Sequence, residues 1–145
     1  MAACSRVFHR GGRFLLLCSV IVASGCGDGR PARVPVSGHV LIDGQPLTRG
    51  NVKFVPQNGR PSSGKIGDDG SFALTCYDGG DGALMGVHRV QVSANRIISD
   101  NKIEWFAPRN YSDFRTSGIE IEVTKPIGDL RIELKSNGKK LPYIE

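Results

Sequence analysis

The longest apolar run in the 145 residues is Phe14–Ala23, FLLLCSVIVA, only ten residues long. An ordinary membrane-spanning helix needs about 20, which this run does not supply. Acidic residues are missing altogether before Cys26, where Arg6, Arg10 and Arg13 lie. The formal charge of +5 therefore belongs mostly to this leader: beyond it, 16 Lys+Arg stand against 14 Asp+Glu, a net of +2. A body so nearly balanced gives no argument for nucleic acid from its pI, and no nucleic-acid partner is expected. Cysteine is scarce in the same uneven way. Of four cysteines, only Cys76 lies beyond Cys26, so the body holds no internal disulfide and relies on its core. Cys76 is in phase with Phe72 and Leu74 and reads as a buried small hydrophobe.

The residues of common active sites are missing as well. His39 and His88 have no second histidine at metal-ligand spacing, and each reads as a partly exposed strand residue. Asp68, Asp69, Asp78 and Asp81 lack the ordered spacing of a calcium loop and read as turn formers. No serine sits in a G-x-S-x-G elbow, and no glycine-rich loop opens onto a helix. The chain is read as noncatalytic, with no metal and no cofactor.

What is present begins with the leader. A basic head, the short apolar stretch and small residues before Cys26 have the layout of a secretory signal peptide. The head contains no Arg-Arg pair, which argues against twin-arginine export. Ala23-Ser-Gly-Cys26 resembles the lipobox of bacterial lipoproteins. In that family a lipid is attached to the cysteine thiol and the chain is cut just before it. The resemblance implies a signal peptide over 1–25, a lipid anchor at Cys26 and a place in the cell envelope, facing the periplasm or the surface. Gly27 follows the cysteine in place of an inner-membrane-retaining aspartate, which favours the outer membrane over the inner. Each buried acyl CH₂ contributes about 0.8 kcal/mol, so two or three chains would hold the protein firmly. An ordinary signal peptide and an uncleaved anchor are the other readings of the segment.

Residues 26–33 contain GDGRPAR, a flexible tether without apolar periodicity. From Val34 the pattern becomes period two, the mark of an all-β domain over 34–135, with 136–145 left as a tail. Val36, Gly38, Val40 and Ile42 alternate with Ser37, His39, Leu41 and Asp43, and Asp43-Gly44 then reverses the chain. Further strands are predicted over Asn51–Val55, Gly64–Gly67, Ser71–Cys76, Gly86–Ala94, Ile119–Val123 and Leu130–Leu134. The charged residues between the apolar ones of the last two strands face water, as one-sided antiparallel sheets require. Seven short strands suggest a β-sandwich. Residues 95–117 are less periodic and read as a long connection.

Val36-Ser-Gly-His-Val-Leu-Ile-Asp-Gly-Gln-Pro-Leu47 followed by Val52-Lys-Phe54 resembles the opening of carboxypeptidase regulatory-like domains, also called transthyretin-like or prealbumin-like. Gly67-Asp-Asp-Gly-Ser-Phe72 and Gly86-Val-His-Arg-Val-Gln-Val92 are similar to the turn and strand that follow in that family. Phe106-Ala-Pro-Arg-Asn-Tyr111 and Thr116-Ser-Gly-Ile-Glu-Ile-Glu-Val123 resemble the ending of small lipoproteins abundant in planctomycete bacteria. The resemblance covers about Val34 to Lys135 and implies a seven-stranded Greek-key sandwich without catalytic activity. One branch of the transthyretin-like group, the 5-hydroxyisourate hydrolases, is enzymatic and ends in Tyr-Arg-Gly-Ser. This chain ends in Lys139-Lys-Leu-Pro-Tyr-Ile-Glu145.

Trp105, Phe106, Tyr111 and Phe114 form the one aromatic cluster, with Arg109 and Arg115 beside them. Trp105, Phe106, Arg109 and Tyr111 can make a binding surface, since exposed aromatics and arginine dominate recognition sites. The blander reading packs these aromatics over one open end of the sandwich. The expected function is thus a lipid-anchored envelope protein, a structural or binding module, with the membrane as one partner and an envelope protein or a glycan as the other. Two alternatives stand beside it. A small transthyretin-like hydrolase needs polar side chains converging in one pocket, and a carbohydrate-binding module needs Trp105 and Tyr111 as exposed, roughly coplanar rings.

Overall fold

The computed structural model describes residues 29–145. The signal segment, the lipidation site Cys26 and the first part of the tether lie outside the described residues. The chain enters at β1 (Arg33–Val34) and continues into β2 (Val36–Ile42). In β2, Val36 and Val40 are buried while Ser37 and His39 are half-exposed, the alternation that a strand covering a core on one side must show. Asp43 and Gly44 both take positive φ (47° and 81°), and this tight reversal leads into β3 (Gln45–Pro46).

β4 (Asn51–Pro56) turns Val52 and Phe54 fully inward. β5 (Ser62–Lys65) lies two residues earlier than its expected position: Ser62 is its buried residue, and Ile66, also buried, follows just after the strand ends. β6 (Ser71–Ala73) carries Phe72, and β7 (Ala83–Leu84) follows a glycine-rich loop. β8 (Gly86–Ser93) buries His88, Val90 and Val92 in phase. β9 (Asn95–Ser99) and β10 (Lys102–Trp105) then form a hairpin. After a short 3-10 turn at Arg109–Ser112, β11 (Glu120–Val123), β12 (Ile127–Leu134) and β13 (Tyr143–Ile144) complete the chain.

The protein is all-β, with several sheets. One four-stranded sheet runs β11-β8-β4-β5, and another runs β12-β2-β3 with β6 also paired to β2. Both contribute to a single core: Val36, Val40, Phe72, Ile132 and Leu134 from one, Val52, Phe54, Val90, Val92 and Val123 from the other. The rings of Phe54 and Phe72, 6.5 Å apart, join the two sheets at its centre. β12 lies parallel to β2, where the residue pattern alone suggested antiparallel neighbours. A parallel pair requires a long crossover, and here the whole intervening chain provides it.

Two segments outside the expected domain are paired as well. Arg33–Val34 pairs with Ala83–Leu84, and Tyr143–Ile144 pairs with Glu104–Trp105, so the tether's last residue and the tail both take part in sheets. The unit so formed is Pro31–Glu145. Because β1 pairs with β7 just before β2 and β8 begin, both long strands start at the end where the chain enters. β8 finishes opposite Asn51 at the other end. The β9–β10 hairpin leaves from there, so entry point and hairpin lie at opposite ends of the body.

Candidate functional site

The hairpin overturns the view of residues 95–117 as an irregular connection, and it determines where the aromatic residues go. Register places Trp105 opposite Asn95 on one side and Tyr143 on the other, with Ile103 opposite Ile97. Cross-strand partners share a face, so Asn95, Ile97, Ile103, Trp105 and Tyr143 line the same side of the three-stranded sheet β13-β10-β9. Trp105 is 6% exposed and Tyr111 9% exposed. The Tyr111 hydroxyl accepts a hydrogen bond from the Lys135 backbone N–H at 3.1 Å, which fixes the 3-10 turn over the end of β12. Phe106 is half-buried under the Arg49 guanidinium, 4.4 Å from its ring centroid. Of the four residues expected at a binding surface, only Arg109 is exposed. An exposed coplanar pair of Trp105 and Tyr111 is therefore absent, because both rings are buried and Tyr111 packs into the core.

Beside Trp105 there is nevertheless a cleft of ≈ 490 Å³. Four separate segments supply its walls: Asn95 where β8 passes into β9, Asn101 in the hairpin turn, Ser112 in the 3-10 turn, and Glu145 at the C-terminus. Arg109 stands at the rim, its guanidinium 5.9 Å from the Trp105 ring centroid and 3.4 Å from a Glu145 carboxylate oxygen. Its backbone N–H donates to the Tyr143 hydroxyl at 3.3 Å, and its carbonyl accepts from the Ser112 hydroxyl at 2.6 Å. The rim is thus pinned from both sides. The Trp105 Nε1–H is buried and has no acceptor among the described residues. Such a donor costs about 1–3 kcal/mol while it stays unpaired.

Asn95, Asn101, Ser112 and Glu145 were not among the residues singled out from the sequence. One signal for them was present: Asp100-Asn101 is a turn-forming pair followed by the alternation Lys102-Ile-Glu-Trp105. Glu145 reaches the cleft through pairing distant in sequence, its backbone exchanging hydrogen bonds with Ile103 at 2.7 and 3.0 Å.

His88, His39 and Cys76 do not line the cleft. His88, expected at a partly exposed position, is fully buried because it shares the inward phase of Val90 and Val92. Its Nε2 lies 2.8 Å from the Leu84 carbonyl, its Nδ1 has no partner among the described residues, and its ring is 5.7 Å from that of Phe54. His39 is half-exposed, with Nδ1 3.5 Å from an Asp129 carboxylate oxygen. Cys76 is buried, its thiol 3.6 Å from the Arg60 carbonyl.

The aspartates act as turn formers. The Asp69 carboxylate accepts from the Ser71 hydroxyl at 2.6 Å and the Ser71 N–H at 3.0 Å, and these bonds hold it below the usual carboxylate range. Asp81 organises the glycine-rich loop: it accepts from the N–H groups of Cys76, Tyr77 and Asp78 and, at 2.6 Å, from Arg33 Nε. Burial alone would raise its pKa, but the three amides and the guanidinium together lower it. Compared with protein-family models, curated proteins and solved structures, the chain matches none.

Proposed function

We propose that this protein is a noncatalytic, lipid-anchored component of a bacterial cell envelope, tethered through Cys26, and that it serves as a binding module. Its body is read as a seven-stranded Greek-key β-sandwich of the transthyretin-like type, in which β2, β4, β5, β6, β8, β11 and β12 are the seven strands. Two facing sheets around one core support that reading. The outer membrane is the favoured location, on the evidence of Gly27.

The observation that carries the functional reading is the placing of entry point and cleft at opposite ends of the body. Six residues lie between Cys26 and Arg33, seven residue steps that span at most about 24 Å when fully extended. An anchor at Cys26 would therefore hold the entry end within that reach of the bilayer, while the cleft beside Trp105 lies at the other end of the body. This is a useful orientation for a module that meets an envelope protein or a glycan.

Fractionation of the native host tests the anchor. The parent chain is expected in the membrane pellet, released by detergent and not by salt, and Cys26→Ala in the soluble fraction. A soluble parent, or a variant that stays with the membrane, would contradict the proposal.

A further inference from the structure

β12 is an open edge: its neighbour on one side is β2, and among the described residues no strand pairs with its other side. Along it the exposed residues alternate in sign, Asp129, Arg131, Glu133 and Lys135, while Leu130, Ile132 and Leu134 between them pack on the core. The Asp43 N–H donates to the Leu134 carbonyl at 3.0 Å, so Leu134 turns its backbone groups toward β2. By the alternation of a strand, Arg131 and Glu133 turn theirs to the open edge. The Tyr111 hydroxyl meets the next such group, the Lys135 N–H, and the open stretch ends there. Unpaired N–H and C=O groups along an edge are a template for another strand, and charge of a single sign beside them would repel a second copy of the chain. Here the signs alternate.

We infer that this edge takes a second copy of the same chain, β12 pairing antiparallel with the partner's β12 about a twofold axis at Ile132. That register sets Arg131 opposite the partner's Glu133 and Asp129 opposite the partner's Lys135, and the symmetry repeats both pairs. Arg131 and Glu133 are the residues whose backbone faces the edge, so the strands exchange about four backbone hydrogen bonds. Glu133 receives Lys135 Nζ on one oxygen at 2.8 Å and has the other for the partner's Arg131. Asp129, with His39 Nδ1 3.5 Å away, is exposed toward the partner's Lys135. Moving the axis to Arg131 or to Glu133 would set like charges opposite each other, which disfavours the neighbouring registers. The other edges lack this match. Self-pairing of β11 about Ile121 would bring Glu120 against the partner's Glu122, and Arg96 of β9 is already bonded to Glu104 at 2.9 Å beside a register shift. The twofold axis sets the two Arg33 entry points at opposite ends of the pair, so a pair anchored through both copies would lie along one bilayer or join two. The inference goes beyond the reading of the body as a binding module and is independent of the lipid anchor.

Sedimentation equilibrium of the full chain, in a detergent density-matched to the solvent and at rising protein-to-detergent ratio, tests the pairing. The parent is expected to reach twice the protomer mass. Arg131→Glu and Glu133→Arg should each weaken the dimer about thirtyfold, since two attractive cross-strand pairs become two repulsive ones. Mixed in equal amounts, the two variants should associate as the parent does, because each then meets the opposite sign. That recovery separates a lost contact from a lost fold. Lys65→Glu, exposed on β5 of the other sheet and equal to Arg131→Glu in its change of charge, should associate like the parent. The inference is overturned if the parent stays at protomer mass, if either single variant associates like the parent, if the mixture stays as weak as the variants alone, or if Lys65→Glu weakens association as much as Arg131→Glu. None of these results depends on Cys26, so failure here would leave the anchor untouched.

Discussion

Asp81 is the residue whose removal should reveal most about how the entry end is held together. Its carboxylate, 15% exposed, takes hydrogen bonds from three successive backbone amides between 2.7 and 3.2 Å and from Arg33 Nε at 2.6 Å. It therefore joins β1, the first element of the body, to the glycine-rich loop before β7. Asp81→Ala leaves these amides without their acceptor, and at about 1 kcal/mol each the loss is about 3 kcal/mol. Asp81→Asn keeps one oxygen and the shape but loses the charge and the bond to Arg33, for about 1.5–2 kcal/mol. In a body of this size about 4 °C of Tm accompanies each kcal/mol, so Ala should lower Tm by about 12 °C and Asn by about 7 °C.

The sign of the pH dependence follows from the direction of the shift. Asp81 is held below its ordinary value in the folded protein, so the unfolded chain binds its proton first as pH falls. The stabilisation is complete above the unfolded value of about 3.9 and is lost as pH drops through the folded value. Urea denaturation from pH 7 downward should therefore show parent and Asp81→Asn well separated near neutrality and converging in acid. Equal stability at pH 7, or a constant gap at every pH, would refute the account.

Three further outcomes are expected. Gly38→Ala should cost about 3 kcal/mol or more by chemical denaturation, because a Cβ there would overlap the Leu130 carbonyl of the adjoining strand. Tyr111→Phe should lose about 1 kcal/mol in the same assay, since its hydroxyl accepts the Lys135 N–H in a partly buried setting. Asp113 is held at about 2 by the hydrogen bonds of the Arg115 side chain and backbone. Carboxyl NMR should find its titration there and, in Arg115→Ala, displaced upward toward the ordinary carboxylate range.

The parts of the fold that could be read from the sequence are those where one face is apolar. Val36 and Val40, Val52 and Phe54, and Val90 and Val92 alternate with polar residues, and all six are buried. Reading was harder where the inward residue is small or polar. Ser62 gives β5 no apolar signal, and His88 is hidden by a residue type usually found nearer water. β9 shows no alternation because all five of its residues are exposed. Its existence depends on pairing with β10, a cross-strand property that local periodicity does not carry. The same reason explains the cleft. Trp105 stands out by type, but its burial and its neighbours Asn95 and Glu145 follow from the hairpin and from β13 folding back on β10.

The lipid tether rests on Cys26, and intact mass of the protein purified from membranes of its native host tests it directly. A chain beginning at Cys26 with the mass of attached acyl chains is expected, and loss of that mass in Cys26→Ala. An unmodified chain, or one that keeps residues before Cys26, would contradict it.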